Sequence, residues 1–496
     1  MPGWLAWLIG ALVVLIPVVA AVVALGVIPG GRRPSTGMAW LILILAVPYL
    51  GIVAFLLLGS NSVGKRRRAW QAEVNADVLA ARRDAGRSGA PDLRPATGPG
   101  TTTQVRALAR LNQNLGALPM LGGNTVAVFS DYRESIEAMT AEAARAERFV
   151  HVEFYISAWD EVTDAFFTAL ADAAERGVEV RLLFDHLGSR GIPVYKDFLK
   201  RLRGTRIVWA AMLPLHPLKG QFRRPDLRNH RKILVVDGRV GFVGSLNMIE
   251  PGYDKPKNHK RGLSWVELVT RVTGPAVREL GVVFATDWAA ETREVVRDTL
   301  GEGETDPSLS GVADVACQVV PSGPGFVTEN NLRLFNSLLY GARSRVALTS
   351  PYFVPDETLL YAVTTAAQRG VQVELFVSAV ADQFMVFHAQ RSYYAALLEA
   401  GVRIWLYPEP YVLHAKFFTI DDDLAVIGSS NMDYRSFALN YEVVLLVADP
   451  GVVARLGEVH QRYRELSTEL TAEAWAQRGR RAAYVDNVMR LTATLQ

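Results

Sequence analysis

The sequence predicts an α/β protein of two repeated α/β/α sandwich domains with mixed sheets, preceded by a hairpin of two membrane-spanning helices. Three observations lead to this prediction: two uncharged apolar runs near the N-terminus, a helix–glycine–strand pattern that occurs twice, and a polar motif that also occurs twice. Helices that alternate with apolar strands are typical of sheets covered by helices. With 496 residues, the chain is long enough for two domains with buried cores.

The N-terminal apolar runs predict a transmembrane hairpin over residues 1–60. Residues 4–28 and 38–59 contain no charged side chain. Each run is long enough to cross a hydrocarbon core of about 30 Å at about 1.5 Å per residue. A cleaved signal peptide is the alternative for the first run, but no basic segment precedes it and a second apolar run follows directly.

Basic residues near the ends of these runs predict the orientation. Four consecutive cations at 65–68 follow the second run, whereas the turn between the runs carries only Arg32 and Arg33. The positive-inside rule therefore favours a multi-pass protein of the cell membrane with both termini and the catalytic domains in the cytoplasm. The cations at 65–68 can also attract anionic headgroups of the bilayer. Residues 61–103 are predicted to be a basic juxtamembrane segment and a flexible linker, because 85–103 is rich in Gly, Pro, Ser and Thr.

The rest of the chain divides into two similar halves. We predict one domain at 104–300, a linker at 301–313 and a second domain at 314–496, because the linker is polar and contains Gly, Pro and Ser. In each half a helix-like segment, a glycine and an apolar strand follow one another, and the glycine is a C-cap signal. These segments are 165–176, Gly177 and 178–184 in the first half, and 358–369, Gly370 and 371–377 in the second. We expect the halves to meet at a pseudo-twofold axis, with the active site in the seam.

A short polar motif is present once in each half. In both copies Lys follows His by two positions, Asp follows Lys by five, and Asn follows His by 17. The matched positions are His230, Lys232, Asp237, Ser245 and Asn247 in the first copy and His414, Lys416, Asp421, Ser429 and Asn431 in the second. One copy alone does not offer a paired acid and base. The two copies together predict one site with two imidazoles and two ammonium groups around a phosphate.

Each copy is predicted to be a β-hairpin. Apolar, β-rich runs flank a turn in both copies. The runs are 233–236 and 240–243 around Asp237, and 417–420 and 424–427 around Asp421. Residues two apart on a strand share a face, so the His and Lys of one copy point the same way. Both Asp residues should hold the turns rather than touch substrate. The Gly-Ser-x-Asn segment should return to the His, where glycine allows close approach of a ligand and Ser and Asn donate to phosphate oxygens.

The residue types suit acid–base and nucleophilic chemistry on a phosphate. Histidine titrates near neutrality and can act as nucleophile, acid or base. Lysine stabilises negative charge that develops on phosphate oxygens. A carboxylate behind an imidazole fixes its tautomer. Glu267 and Glu442 are the candidates for this orienting role, since each opens an apolar, strand-like run after the motif of its own half. Glu267 lies farther along the chain from its histidine than Glu442 does.

These motifs resemble the repeated His-x-Lys-x4-Asp signature of the phospholipase D superfamily, and within it the chain most resembles bacterial cardiolipin synthases. The resemblance runs from about residue 104 to the end of the chain. The stretches that carry it are 228–232, 244–248, 350–356 and 431–437. An N-terminal membrane hairpin is also typical of that family.

The resemblance implies a two-step phosphatidyl transfer. One histidine attacks the phosphorus of phosphatidylglycerol, and glycerol leaves from the phosphohistidine. The other histidine protonates the leaving oxygen and then deprotonates the hydroxyl of a second phosphatidylglycerol. Family analogy makes His230 the nucleophile and His414 the acid and base, an order that the sequence alone does not give. No metal or other cofactor is expected, because Lys232 and Lys416 supply the positive charge.

Other activities share the motif. A phospholipase D that transfers the phosphatidyl group to water, forming phosphatidic acid, differs only in the acceptor, which the sequence does not reveal. A nuclease is disfavoured, because 53 basic and 50 acidic residues give a net charge of only +3, without the strong positive charge typical of nucleic-acid-binding proteins. The apolar N-terminal runs also suit a lipid substrate. No nucleic-acid partner is therefore predicted. The single cysteine, Cys317, excludes an intrachain disulfide and is expected to be a buried apolar residue.

Overall fold

The computed structural model describes residues 22–28, 34–59, 102–215, 224–296, 308–326, 329–380 and 383–492, together with a few isolated positions in the first hundred residues. The chain divides into two compact units, residues 1–63 and 64–496.

The N-terminal unit contains helices α1 (Pro34–Ala46) and α2 (Pro48–Leu58). They are separated at Val47, whose φ of −137° and ψ of 75° are not helical. The break follows from Pro48, which restricts the residue before it and lacks an N–H. The predicted single span at 38–59 is therefore two shorter helices, and most of the predicted span at 4–28 lies outside the described residues. Among the described residues, no helix has both the length and the apolar character needed to cross a membrane.

A 15-stranded mixed sheet forms the centre of the second unit. Its first-half strands are β1 (Leu121–Phe129), β2 (Phe149–Phe154), β3 (Glu179–Asp185), β4 (Val208–Met212), β5 (Ile233–Val236), β6 (Val240–Gly244) and β8 (Val269–Thr273). Its second-half strands are β9 (Val312–Ser322), β10 (Arg345–Thr349), β12 (Gln372–Ser378), β13 (Arg403–Tyr407), β15 (Phe417–Ile420), β16 (Leu424–Gly428), β18 (Glu442–Ala448) and β19 (Thr468–Leu470). Two short parallel pairs lie outside it: β7 (Ser264–Val266) with β14 (Tyr411–Leu413), and β11 (Phe353–Val354) with β17 (Met432–Asp433).

The strand order is symmetric about the pairing of β9 with β1. Across the sheet it is β19-β13-β12-β10-β15-β16-β18-β9-β1-β8-β6-β5-β2-β3-β4. Outward from this central pair, the second half contributes β9, β18, β16, β15, β10, β12 and β13, and the first half contributes the corresponding strands β1, β8, β6, β5, β2, β3 and β4. Among the described strands, only β19 has no counterpart in this sheet. The predicted mixed α/β fold with two related halves is therefore confirmed. The halves do not have separate sheets, however, because β1 and β9 pair antiparallel and join them.

Helices cover this sheet. In the first half they are α3 (Thr103–Gly116), α4 (Tyr132–Ala144), α5 (Asp164–Glu175), α6 (His186–Arg190), α7 (Tyr195–Leu202), α8 (Pro256–Lys260) and α9 (Pro275–Thr292). In the second they are α10 (Asn330–Gly341), α11 (Glu357–Gln368), α12 (Phe384–Arg391), α13 (Tyr394–Glu399), α14 (Tyr434–Ala438), α15 (Pro450–Leu466), α16 (Ala472–Ala476) and α17 (Arg480–Arg490). The glycines predicted after α5 and α11, Gly177 and Gly370, have φ of 94° and 90°. That left-handed conformation, rather than lack of space, requires glycine.

One apolar core belongs to both halves. Helix α9 contributes Val277 and Leu280 to this core, and helix α15 contributes Leu456. These side chains pack with side chains from the central strands of both halves. Cys317 of β9 is fully buried in this core, and burial raises the pKa of its thiol. The shared core and the continuous sheet fix the two halves relative to each other.

Helix α3 packs on the second half, although the sequence placed it with the first. Val105 and Leu108 belong to the same core cluster as Leu338 of α10. Asn112 also donates to the Gln318 side chain at 2.9 Å, and both residues are buried. The predicted boundary at 301–313 remains a prediction, since 301–307 lies outside the described residues and β9 begins at Val312.

The two motif hairpins are present as β5–β6 and β15–β16. Their turns place Asp237 and Asp421 at φ of 54° and 51°. Each carboxylate accepts backbone N–H groups from the segment that enters a neighbouring strand. The donors are Glu147, Arg148 and Phe149 for Asp237, and Arg343, Ser344 and Arg345 for Asp421. Both Asp residues therefore fix the turns of the hairpins to the strands beside them.

A glycine ends each hairpin for a reason that the sequence analysis misjudged. A Cβ atom on Gly244 would lie 2.3 Å from the carbonyl oxygen of Leu268, and one on Gly428 would lie 2.3 Å from that of Val443. Glycine at these positions allows close approach of the next strand, not of a ligand.

We expect Gly428→Ala to lower the free energy of unfolding by about 1–3 kcal/mol, because the new methyl group overlaps the backbone of β18. Urea denaturation followed by circular dichroism measures this change. Gly457→Ala is the matched control, since Gly457 is an exposed residue of α15 and a Cβ there meets no atom within 4 Å. That change should stabilise the helix by about 0.5–1 kcal/mol. Equal unfolding midpoints for the two variants would contradict the packing argument.

Candidate active site

The two motif copies meet at one cavity of about 490 Å³. His230 and His414 both line it, as do Asn247 and Asn431. The structure therefore brings together two imidazoles that lie far apart in the sequence. Both histidines are more than nine-tenths buried, so little of either imidazole is exposed to solvent.

The surroundings of His230 define its tautomer. Its Nδ1 atom lies 2.9 Å from the carbonyl oxygen of Ser429 and 3.1 Å from the carboxylate of Glu442. Both neighbours are acceptors, so Nδ1 must carry the hydrogen. This arrangement leaves the lone pair on Nε2, the nitrogen that can attack or accept a proton.

His414 has the equivalent partner in the other half. Its Nδ1 atom lies 2.6 Å from the carboxylate of Glu267. The pairing is thus crossed: each histidine is oriented by a glutamate from the opposite half, not from its own half as the sequence spacing suggested.

Backbone pairing between the halves produces this crossing. Strand β7, which precedes Glu267, pairs in parallel with β14, which precedes His414. The N–H of His414 donates to the carbonyl of Val266 at 2.8 Å. The N–H of His230 likewise donates to the carbonyl of Tyr441 at 2.8 Å. Neither half therefore contains a complete histidine–carboxylate pair.

The motif serines support the glutamates. The hydroxyl of Ser245 donates to Glu267, and that of Ser429 donates to Glu442. Both serines are fully buried. Their predicted role as donors to substrate phosphate is therefore wrong, because their hydroxyl hydrogens are used to fix the carboxylates behind the imidazoles.

The motif asparagines lie at the cavity but are held differently. The side chain of Asn247 accepts from the backbone of Ile156 and donates to the hydroxyl of Tyr253. The amide nitrogen of Asn431 donates to Asp433 at 3.1 Å. Its Oδ1 atom is buried and, among the described residues, has no hydrogen-bond partner. Asn431 therefore has unused hydrogen-bonding capacity beside the histidines.

The two lysines place positive charge next to the imidazoles. The ammonium groups of Lys232 and Lys416 each donate to the carbonyl of the preceding motif histidine at 2.6 Å. Burial lowers the pKa of Lys232 to about 7, and the charge of Lys416 acts in the same direction. Within the described ranges, no three His, Cys, Asp or Glu side chains are grouped as metal ligands.

Burial also determines the resting charge of the histidines. It lowers the pKa of His230 and of His414 to about 4, although the facing glutamates act in the opposite direction. Burial by itself would raise the pKa of the Glu442 carboxyl, but His230 and Lys232 hold it below its ordinary value. The same holds for Glu267 beside His414. At neutral pH the site therefore contains two neutral imidazoles, each hydrogen-bonded to a carboxylate.

A buried ionic network that the sequence analysis missed lies behind His230. The Nε atom of Arg231 donates to the carbonyl of Glu442 at 3.0 Å, and its guanidinium group pairs with Asp287. Asp287 interacts with Glu153, whose carboxyl has its pKa raised well above the ordinary value by burial and by Asp287. The network holds the backbone of Glu442 in place.

The second copy has no equivalent charge. Ala415 stands where the first copy has Arg231, and it is fully buried among apolar side chains. The sequence contained the signal, since the middle residue of His-x-Lys is cationic in one copy only. The two histidines therefore have different surroundings despite their matched motifs.

Comparison with known proteins identifies the family. A family model described as cardiolipin synthase, PLD-like domain, matches residues 139–265 and 336–464, one match in each half. The chain belongs to this family. The phospholipase D resemblance of the motifs is thus confirmed.

Curated relatives of this cardiolipin synthase family match nearly the whole chain. Cardiolipin synthase A of Proteus mirabilis is 30% identical over 449 residues, which cover 90% of each protein. Cardiolipin synthase of Halalkalibacterium halodurans is 32% identical over 445 residues, covering 89% of this chain and 85% of the relative. The crystal structure of phosphatidylserine synthase from Haemophilus influenzae has the same fold, with a TM-score of 0.57 at 15% identity over 78% of this chain and 98% of that chain.

We expect Glu442→Gln to lower the rate of phosphatidyl transfer by about 10²–10⁴-fold, because the neutral amide no longer supports an imidazolium at His230. The carboxylate raises the pKa of both His230 and Lys232. Activity needs His230 neutral and Lys232 charged, so wild-type activity should fall below about pH 4 and above about pH 7. Both limbs should move to lower pH in the variant.

The pH dependence of kcat/KM measures these shifts. Glu458→Gln removes a glutamate of α15 that is more than half exposed, so its profile should match the wild type. A profile for Glu442→Gln that keeps both wild-type limbs would contradict a direct electrostatic role for Glu442.

Proposed function

We propose that this protein is a cardiolipin synthase that transfers a phosphatidyl group from one phosphatidylglycerol to another, giving cardiolipin and glycerol. The observation that carries the proposal is the pair of carboxylate-oriented imidazoles in one cavity. Membership of the cardiolipin synthase family supports the choice of substrate.

In the first step, Nε2 of His230 attacks the phosphorus of the donor lipid. A nitrogen–phosphorus bond forms, and the bond between phosphorus and the glycerol oxygen breaks. The negative phosphate of the bound lipid favours uptake of a proton at Nε2 of His414. His414 donates this proton to the glycerol oxygen, so glycerol leaves as a neutral alcohol and His414 returns to its neutral form. Covalent catalysis of this kind divides one difficult displacement into two easier ones.

In the second step, a headgroup hydroxyl of the acceptor phosphatidylglycerol attacks the same phosphorus. His414 accepts the hydroxyl proton, and the nitrogen–phosphorus bond breaks to release cardiolipin. The cationic groups of Lys232 and Lys416 stabilise the charge on the phosphate oxygens during both displacements. A cavity that limits access of water favours an alcohol over water as the acceptor.

Three observations support His230 as the nucleophile. Its hydrogen bonds to Ser429 and Glu442 both involve Nδ1, so the lone pair of Nε2 is available to attack. The ammonium group of Lys416, in contrast, lies 3.1 Å from both ring nitrogens of His414. Arg231 also fixes the backbone of the glutamate behind His230, which favours a rigid nucleophile at that position.

We expect the purified full-length protein, in micelles with labelled phosphatidylglycerol, to form cardiolipin and free glycerol in equal amounts. His230→Ala should abolish both products, because no covalent intermediate can form. Brief reaction followed by denaturation should leave alkali-stable, acid-labile phosphate on His230 of the wild type. Thin-layer chromatography of the lipids and peptide mapping of the label measure these outcomes.

The control for this experiment is His388→Ala, which removes a half-buried imidazole that pairs with Asp486. Its rate should stay within about threefold of the wild type, since substitutions away from a site have small effects. Phosphatidic acid as the sole product would overturn the synthase assignment in favour of hydrolysis. Cardiolipin from His230→Ala at the wild-type rate would remove His230 as nucleophile.

We further infer that the protein resides in the cell membrane, anchored by the apolar runs at 4–28 and 38–59, the second of which is broken at Val47, and that the catalytic domains lie in the cytoplasm. The support is the absence of charged residues in both runs and the cations at 65–68 that follow them. The full-length protein should stay with the membrane fraction after alkaline carbonate extraction. Its release into the soluble fraction would contradict this inference.

A further inference from the structure

The two halves differ around the cavity in the segment between the motif asparagine and the orienting glutamate. The stretch from Asn247 to Glu267 is longer than the equivalent stretch from Asn431 to Glu442. The additional residues belong to the segment 250–262, termed here the basic loop, which contains α8. This insertion explains why the glutamate of the first half follows its histidine at a greater distance along the chain.

The basic loop is held in one conformation by its own hydrogen bonds. The carboxylate of Glu250 accepts from the backbone of Gly252 at 2.7 Å and from the backbone of Asp254. It also contacts Nε2 of His259 at 2.8 Å. The buried side chain of Asn258 donates to the carbonyl of Gly252 at 2.9 Å. The negative charge of Glu250 is therefore used inside the loop.

The C-terminal end of the loop is joined to the second half. Arg261 forms an ion pair with Glu409 at 3.6 Å, and the N–H of Ser264 donates to the carbonyl of Pro410. Strand β7 then continues into its pairing with β14, which leads to His414. The basic loop thus belongs to the seam in which both histidines lie.

The loop presents cations to the cavity. Lys255 and Lys257 line the same cavity as the two histidines, and both are exposed. Neither has an ion-pair partner in the parts of the chain that the structure describes. Lys260 belongs to the same helix as Lys257 but does not line the cavity. The corresponding stretch of the second half, 432–441, contains a single cation, Arg435.

We propose that Lys255 and Lys257 bind the phosphodiester of the acceptor phospholipid, at an anion site separate from the phosphate that reacts at the histidines. This inference rests on the proposed function. The acceptor phosphatidylglycerol is itself a phosphodiester monoanion, whereas glycerol and water carry no charge. Two unpaired ammonium groups beside the reacting centre therefore favour the charged lipid as acceptor. The asymmetry of the loop places this second anion site on the side of the first half.

The surface of an anionic bilayer also presents phosphodiester groups, to which Lys255 and Lys257 could bind. The experiment therefore distinguishes binding of the acceptor lipid from binding of the bilayer surface. A phosphatidyl-enzyme formed from one donor can pass its phosphatidyl group either to labelled glycerol, which regenerates labelled phosphatidylglycerol, or to a second lipid, which gives cardiolipin. The ratio of the two products depends on the acceptor alone, because both arise from one intermediate. Binding of the donor affects both products equally. A fall in the ratio without weaker binding to anionic vesicles therefore assigns the loss to the acceptor site.

The experiment uses full-length protein in neutral-detergent micelles with phosphatidylglycerol and radiolabelled glycerol. The double variant Lys255→Ala/Lys257→Ala should lower the ratio of cardiolipin to labelled phosphatidylglycerol about tenfold. Lys255→Arg/Lys257→Arg keeps both charges and should keep the ratio within about twofold. Lys260→Ala is the matched control, and it should leave the ratio unchanged. Added salt should lower the ratio in the wild type and have less effect on the double alanine variant.

Three outcomes would overturn the assignment of this site. They are an unchanged ratio in the double alanine variant, an equal loss of both products in that variant together with weaker binding to anionic vesicles, and an equal fall of the ratio in Lys260→Ala. Failure of the proposed function gives a different result, since the wild-type protein would then form neither cardiolipin nor labelled phosphatidylglycerol. That result would also contradict the acceptor site.

Discussion

The crossed hydrogen bonds between histidine and glutamate are the interaction on which the site depends. Each bond fixes Nδ1 as the protonated nitrogen, but only when the other half supplies the carboxylate. Burial drives both imidazoles toward the neutral form, and the carboxylates oppose this effect. The site can therefore change its protonation during a reaction without a change in its backbone. The hydroxyl groups of Ser245 and Ser429 donate to these glutamates and so fix the carboxylates in turn.

The sequence was sufficient for features set by local periodicity and spacing. The hairpins, the turn aspartates and the glycines after α5 and α11 follow from patterns of a few residues. The crossed pairing was not predictable, because it depends on β7 meeting β14, two short strands that are distant in the chain. The serines were misassigned for the same reason, since their partners are set by the neighbouring strand. A buried network such as that of Arg231 and Asp287 has no periodic signal at all.

The matched motifs conceal an asymmetry that has physical consequences. Behind one imidazole lies a buried guanidinium group with two carboxyl groups, and behind the other lies an alanine in an apolar core. A buried ion network is costly to desolvate and needs all its members. Its retention on one side only agrees with different tasks for His230 and His414. The basic loop adds a second difference on the same side of the seam.

The pairing of β1 with β9 also limits how lipids can move through the protein. A backbone ladder crosses from one half to the other, and the common core beneath α9 and α15 contains side chains of both halves. The two halves cannot separate to admit a lipid without breaking this strand pairing and exposing the apolar side chains of the shared core. Reactants and products therefore reach the two histidines through the cavity that both halves line.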